Sequence, residues 1–335
     1  MNIRWQQGLA VSLALSGIAV VLVIIFTFDE QTIDNLGYIE PRFLVLAALL
    51  LLAAVAVEGY RIALIARAMG GQLTWARGCS IFLTTNFAAQ ITPMGVAELP
   101  ALTWYYNQAG INVGMALAAA IVRSFITKLV FLAGIIYLFG IARGRVQFGP
   151  VTGDIFSLMT MAFVVTVILN ALYVLFPGFV LGLWQRLPSK WRQGRLAGVQ
   201  QRLDLEAREF DRGLGWLWRK RPLVLLPIAL LSLLYWILFF GILPVIARGL
   251  NLQVDPLALV SRQFVLTLAL PFIPLPGGSG ALELAMMGIY QGVIPRSLIG
   301  IFVVVWRIFS YYAFLLLGGG ATLGRLWRKG KEKAK

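Results

Sequence analysis

The chain has 335 residues, of which 59% are hydrophobic and only 13% charged, with a mean hydropathy of +0.83. A soluble domain carries about 25% charged residues, so the bilayer is the expected solvent. One cysteine, Cys79, and no histidine exclude disulfide frameworks, Cys/His metal centres and histidine catalysis; the +15 charge sits beside apolar runs, where it reports topology and not nucleic acid.

Taken in chain order, the first apolar run covers residues 8–28. It is longer than a signal-peptide core and no small-residue cleavage site comes after it, so it is read as a spanning helix of roughly 20 residues. Acidic Asp29, Glu30, Asp34 and Glu40 come next, with only Arg42 nearby. Further crossings are expected at 43–65, 114–140, 155–183 and 223–246, and at 297–323, which carries Arg307. Two stretches, 78–107 and 257–295, are apolar but broken by Pro and Gly.

Charge sets the orientation. Residues 184–221 hold ten basic residues, and the tail adds Arg325, Arg328, Lys329, Lys331, Lys333 and Lys335. The positive-inside rule puts this loop and both termini in the cytoplasm of a bacterial inner membrane. Counting crossings from there, 78–107 begins and ends on the cytoplasmic side and 257–295 on the outer side. Each is therefore expected to be a re-entrant hairpin, tolerated at membrane depth only when packed in protein or lining a wet cavity. Within the basic loop, Leu196, Val199, Leu203, Ala207, Phe210, Leu214 and Leu217 recur at helical spacing, flanked by Trp191, Trp216 and Trp218. That pattern predicts an amphipathic helix on the headgroups, a connector or a lipid sensor.

The two broken stretches resemble each other. Pro93, Gly95 and Glu98 precede Arg123 by the same order in which Pro276, Gly277 and Glu283 precede Arg307. The Glu-to-Arg separation is 25 residues in the first and 24 in the second. The expected fold is therefore all-α and polytopic, with about six transmembrane helices, two re-entrant hairpins and an inverted-topology repeat. It forms one domain over residues 1–335, with repeat A over about 1–147, repeat B over about 153–328, and the basic loop at about 184–221 set apart.

Arg123 and Arg307 fall roughly 14 Å into their helices at 1.5 Å per residue. A charge at that depth needs a partner or water, and Glu98 and Glu283 are the partners in view. Two readings stay open: structural Glu–Arg pairs, or guanidinium forks for a lipid phosphate. Gly277, Gly278, Ser279 and Gly280 lack the lysine of a nucleotide loop; they either cradle an anion with backbone N–H groups or only permit a tight turn. Asn86, Gln90, Pro93, Gly95, Lys128, Arg262 and Pro276 form a second tier, and Glu58 with Arg61 reads as local glue near the cytoplasmic end of its helix.

The run Pro274-Leu275-Pro276-Gly277-Gly278-Ser279-Gly280-Ala281-Leu282-Glu283 followed by Arg307 resembles the flippase-like transmembrane family, which includes the membrane domain of lysylphosphatidylglycerol synthases. The series Asn86, Pro93, Gly95, Glu98 and Arg123 is similar to that family's first motif, with Met94-Gly95-Val96-Ala97 departing from it. The resemblance implies movement of a polar-headed lipid between leaflets: a phospholipid, glycolipid or polyprenyl-phosphate lipid. It implies no aminoacyltransferase domain, since the chain ends soon after its last helix, and no cofactor is expected. A separately encoded lipid-modifying enzyme is the expected protein partner. An accessory subunit of a glycosyltransferase and an ion-coupled solute transporter stay open as alternatives. An intramembrane transferase using Glu98 or Glu283 as base is disfavoured, because no paired-carboxylate, histidine or metal motif accompanies them.

Overall fold

A computed structural model describes residues 40–138, 150–176, 178, 182, 197–220 and 222–333. The expected first crossing and its acidic loop, apart from Glu40, lie outside the described residues. The fold is all-α: among the described residues extended pairing is confined to two isolated bridges, Pro93 with Pro276 and Gln291 with Ile294.

Helix α1 (Pro41–Ala68) starts at a proline, whose missing N–H costs nothing at a helix start, and stops where Gly70 turns to a left-handed φ of 84°. Then come α2 (Trp75–Gln90), α3 (Glu98–Gln108) and α4 (Val113–Ile136). The second half holds α5 (Pro150–Leu175), α6 (Ala197–Gly215), α7 (Pro222–Gly249), α8 (Pro256–Ala269), α9 (Ala281–Tyr290), α10 (Arg296–Arg307) and α11 (Ala313–Lys333). A π-turn over Ile308–Tyr312 joins the last two into one continuous rod. Five of these segments are long and apolar enough to cross a membrane: α1, α4, residues 157–175 of α5, α7, and Arg296–Arg325. The protein is a multi-pass membrane protein.

Helices α1 and α7 pack antiparallel over most of their lengths; the Glu40 N–H donates to the Gly249 carbonyl at 3.1 Å, tying the start of one to the end of the other. Close approach elsewhere uses small residues, as expected where lipid supplies no hydrophobic drive between helices. Gly59 of α1 faces Gly78 of α2, and a Cβ on either would overlap the other helix's backbone. Gly318 sets α11 against Leu83 of α2 in the same way.

Each broken stretch folds back on itself. Gln72, just before α2, donates to the Ala109 carbonyl just after α3, so that hairpin enters and leaves at one end. In the other hairpin Tyr290 Oη, at the end of α9, donates to the Leu259 carbonyl near the start of α8. The first hairpin opens at the end where α1 finishes, the second at the end where α7 finishes. They enter from opposite faces, and their tips meet in the middle at the Pro93–Pro276 bridge.

The basic loop's helix differs from its expected setting. Helix α6 packs along the first half of α4, burying Phe210 and Leu214, with Leu217 buried just beyond its end, inside the protein instead of in headgroups. Glu206 caps α4, its Oε2 accepting from the Gly114 N–H at 2.6 Å, where the positive end of the helix dipole favours a carboxylate. Trp216 Nε1 donates to the last α1 carbonyl, Ala68 O, at 2.9 Å. The apolar period is that of a helix, as expected, and the helix packs on α4 with Trp216 tied to the end of α1.

Candidate functional site

The two tips are built alike. After Pro93, Met94 and Gly95 both take left-handed φ (55° and 66°); after Pro276, Gly277 and Gly278 do the same (59° and 64°). Met94 is a non-glycine in that region, a strain of about 1–2 kcal/mol that the surrounding contacts must hold. At Gly277 the constraint is also steric. An added Cβ would overlap the Tyr311 ring and sit 2.7 Å from Gln90 Oε1, so this glycine is pinched between the last rod and the opposite hairpin.

Beyond the tips the two hairpins diverge. Glu98 is the first residue of α3, and its carboxylate, 45% exposed, meets Arg123 Nη1 at 2.9 Å. Glu283 is the third residue of α9 and turns back to cap it, Oε2 accepting from the Gly280 N–H at 2.8 Å. Glu283 Oε1 lies 2.9 Å from Arg307 Nε, off the hydrogen-bond axis, so that contact is an ion pair. The side chains of Glu283 and Arg307 are 0% and 2% exposed. Arg307 also stacks over Tyr311 at 4.2 Å and points two long N–H contacts, 3.4 and 3.5 Å, at the Gly277 carbonyl.

Between the tips lies a half-open cavity of about 600 Å³. Its walls take Met94, Gly95 and Glu98 from one hairpin and Leu275, Gly277 and Gly278 from the other. Asn86 and Gln90 of α2 and Arg123 and Lys128 of α4 line it too, closed by aromatic Phe131, Phe163, Tyr235 and Trp236. Of the residues singled out in sequence, Glu98, Arg123, Gly277, Gly278, Asn86, Gln90, Gly95 and Lys128 thus converge on one space. Pro93 and Pro276 clasp the tips beside it. Glu283, Arg307, Ser279 and Gly280 lie behind the second tip, outside the cavity wall. Ser279 is fully buried. Arg262 is remote from the cavity wall and serves its own hairpin, donating to the carbonyls of Ile289 and Ala258, each at 3.0 Å.

The glycine run is a turn first. The Gly278 and Ser279 N–H groups donate to Leu275 and Pro276 carbonyls, and the Gly280 N–H donates to Glu283. Three of the four amides that could have faced an anion are used inside the loop.

Glu58 and Arg61 form the expected neighbour pair, at 2.7 Å, but deep in the helix and joined to a third charge. Glu58 lies ten residues before the end of α1, about 15 Å by helix rise, and is fully buried. Its Oε1 accepts from Arg123 Nε at 2.7 Å and meets Arg123 Nη2 at 2.6 Å, and it accepts from Arg61 Nη2 at 2.7 Å. Glu58 is therefore the main anchor of Arg123, and Glu98 holds only the outer edge of the guanidinium. Arg61 reaches on to Thr127 Oγ1 at 3.0 Å. Glu58 Oε2, Arg61 Nε and the Tyr106 hydroxyl, all buried, have no protein partner among the described residues. A glutamate so far inside an apolar run is the sequence signal for a deep partner. Asn170 of α5, which no sequence signal marked, presents Oδ1 to Lys128 Nζ at 3.1 Å while its own Nδ2 donates to the Thr166 carbonyl at 2.8 Å. Among the described residues no cluster of His, Cys, Asp and Glu could hold a metal ion.

The profile of the family described as Lysylphosphatidylglycerol synthase TM region matches residues 9–318. A UPF0104 membrane protein of Archaeoglobus fulgidus is 22% identical over 320 residues, covering 93% of this chain and 94% of its own length. No solved structure matches.

Proposed function

We propose, from the premise that this chain belongs to the lysylphosphatidylglycerol synthase transmembrane-region family, that it is a lipid translocase. It moves a polar or anionic-headed lipid between the leaflets of a bacterial inner membrane, with both termini cytoplasmic, and acts as a carrier without a catalytic step. The observation that carries this reading is the cavity walled by both hairpin tips. About 600 Å³ accommodates a headgroup of small-ligand size, leaving acyl chains in the bilayer. Its charges sit at membrane depth, where an ionisable group is a functional candidate by default.

The two hairpins belong to two repeats of opposite orientation, and exchange between them supplies alternating access. In the conformation described, the headgroup meets Arg123 and Lys128. In the opposite conformation the second tip withdraws and Arg307 takes the equivalent place. Gly277 sits at the centre of that exchange, its carbonyl facing Arg307 and the space beside it bounded by Tyr311 and Gln90.

Leaflet-resolved transport in proteoliposomes containing only this chain tests the reading. A fluorescent phospholipid should reach the opposite leaflet faster than in protein-free liposomes and more slowly with Arg123→Lys, which keeps the charge but loses the planar fork. Transport no faster than in protein-free liposomes overturns the reading.

A further inference from the structure

Among the described residues, the charges around the cavity do not cancel. Glu58 and Glu98 supply two carboxylates, and Arg61 and Arg123 two guanidiniums, all joined by direct contacts. This set is neutral as a unit. Lys128 adds one positive charge, and its hydrogen bonds go to neutral oxygens, Ser124 Oγ and Asn170 Oδ1, both at 3.1 Å. Asn170 is fixed in that orientation because its amide nitrogen is committed to the Thr166 carbonyl. An ammonium has three protons, so one remains for the cavity that Lys128 lines. Elsewhere on the wall the hairpins present amides, glycines and apolar groups, and α7 presents Tyr235 and Trp236. The Glu283–Arg307 pair behind the second tip is neutral.

On these observations, and resting on the translocase reading above, we infer that the cavity selects a lipid with a monoanionic phosphodiester headgroup, and that Lys128 is the residue that reads its charge. One negative charge neutralises the site. A zwitterionic headgroup leaves the surplus positive charge at membrane depth, and a doubly charged phosphate monoester turns it negative; both leave an uncompensated charge in poorly solvated surroundings. The Arg123 fork is already occupied on both edges by Glu58 and Glu98, so it orients the headgroup, and Lys128 supplies the attraction.

The test is competitive binding to the purified full chain in a neutral detergent, read by native mass spectrometry at about pH 7.5, where a phosphate monoester, with a second pKa of about 6, is mostly doubly charged and Lys128 is an ammonium. The probes are phosphatidylglycerol, phosphatidylethanolamine and phosphatidic acid of equal, short acyl length, and glycerophosphoglycerol, the same diester without tails. The parent should prefer phosphatidylglycerol by on the order of tenfold, the worth of one poorly solvated charge contact. Lys128→Gln, which keeps length and a donor, should bind phosphatidylglycerol and phosphatidylethanolamine alike, and Lys128→Arg should keep the preference. Lipid binding without a preference for phosphatidylglycerol, or a preference that survives Lys128→Gln, overturns the inference and leaves the translocase reading standing. Binding of no lipid at all removes both. Glycerophosphoglycerol binding as tightly as phosphatidylglycerol overturns the lipid as the source of the anion.

Discussion

The two hairpin tips start from the same backbone device and end in opposite electrostatic states. At the first, Glu98 is half-exposed and touches Arg123 through one N–H, while Glu58 holds the rest of that guanidinium from behind. At the second, Glu283 and Arg307 are sealed, with Tyr311 stacked on the guanidinium and the glycine turn folded over it. The difference begins in the turn. Glu98 lies five residues after its proline and opens the helix; Glu283 lies seven after its own and folds back to cap it. Two residues of offset on a helix rotate a side chain by more than half a turn, which is enough to move a carboxylate from a cavity wall into the protein. A similar motif can therefore serve as a cavity-facing pair in one place and as a sealed latch in another.

The largest effect should come from breaking the sealed pair. Arg307→Ala leaves Glu283 buried without its counter-charge, and removing one partner of a buried pair typically costs about 3–5 kcal/mol. Thermal unfolding of the purified chain should show a large drop, and the double change Glu283→Gln with Arg307→Gln should recover most of it without restoring transport. A parent-like melting temperature for Arg307→Ala would mean the second tip is no latch.

Gly277→Ala comes next. It adds left-handed strain of about 1–2 kcal/mol and an overlap with the Tyr311 ring, a type of crowding that costs about 1–3 kcal/mol. The matching change at the first tip, Met94→Gly, should move stability the other way, by roughly 1 kcal/mol, because it removes the strain of a non-glycine at φ 55°. If both substitutions shift the unfolding midpoint in the same direction, the two tips are not conformational counterparts.

Glu98→Gln should change stability by less than about 1 kcal/mol, since its carboxylate is 45% exposed and Arg123 keeps Glu58. Headgroup binding should nonetheless change, because the outer edge of Arg123 is freed. A melting shift as large as that of Arg307→Ala would erase the contrast between open and sealed pairs. Smallest for transport is Glu206→Gln, remote from both tips. It weakens the cap on α4 by about 0.3–1 kcal/mol and should leave the transport rate at the parent value.

Much of the molecule is legible from the order of its residues. Apolar length alone locates the described crossings, because the thickness of the bilayer fixes how long a spanning helix must be. Proline and glycine mark both hairpins, since only those residues interrupt a helix at a fixed place without help from distant contacts. The depth of Arg123 and Arg307 demands acidic partners, and Glu98 and Glu283 stand at the right separation. Residue order does not decide which contacts those partners make. Glu58 outranks Glu98 for Arg123 because the packed helices bring these two side chains together across 65 positions of chain, a matter that residue order does not fix. Lys128 acquires its neutral partner Asn170 from a helix 42 residues away, and α6 buries Phe210 and Leu214 inside the protein. Periodicity tells which face of a helix is apolar and how deep a charge sits; only the packed structure decides what that face, or that charge, is set against.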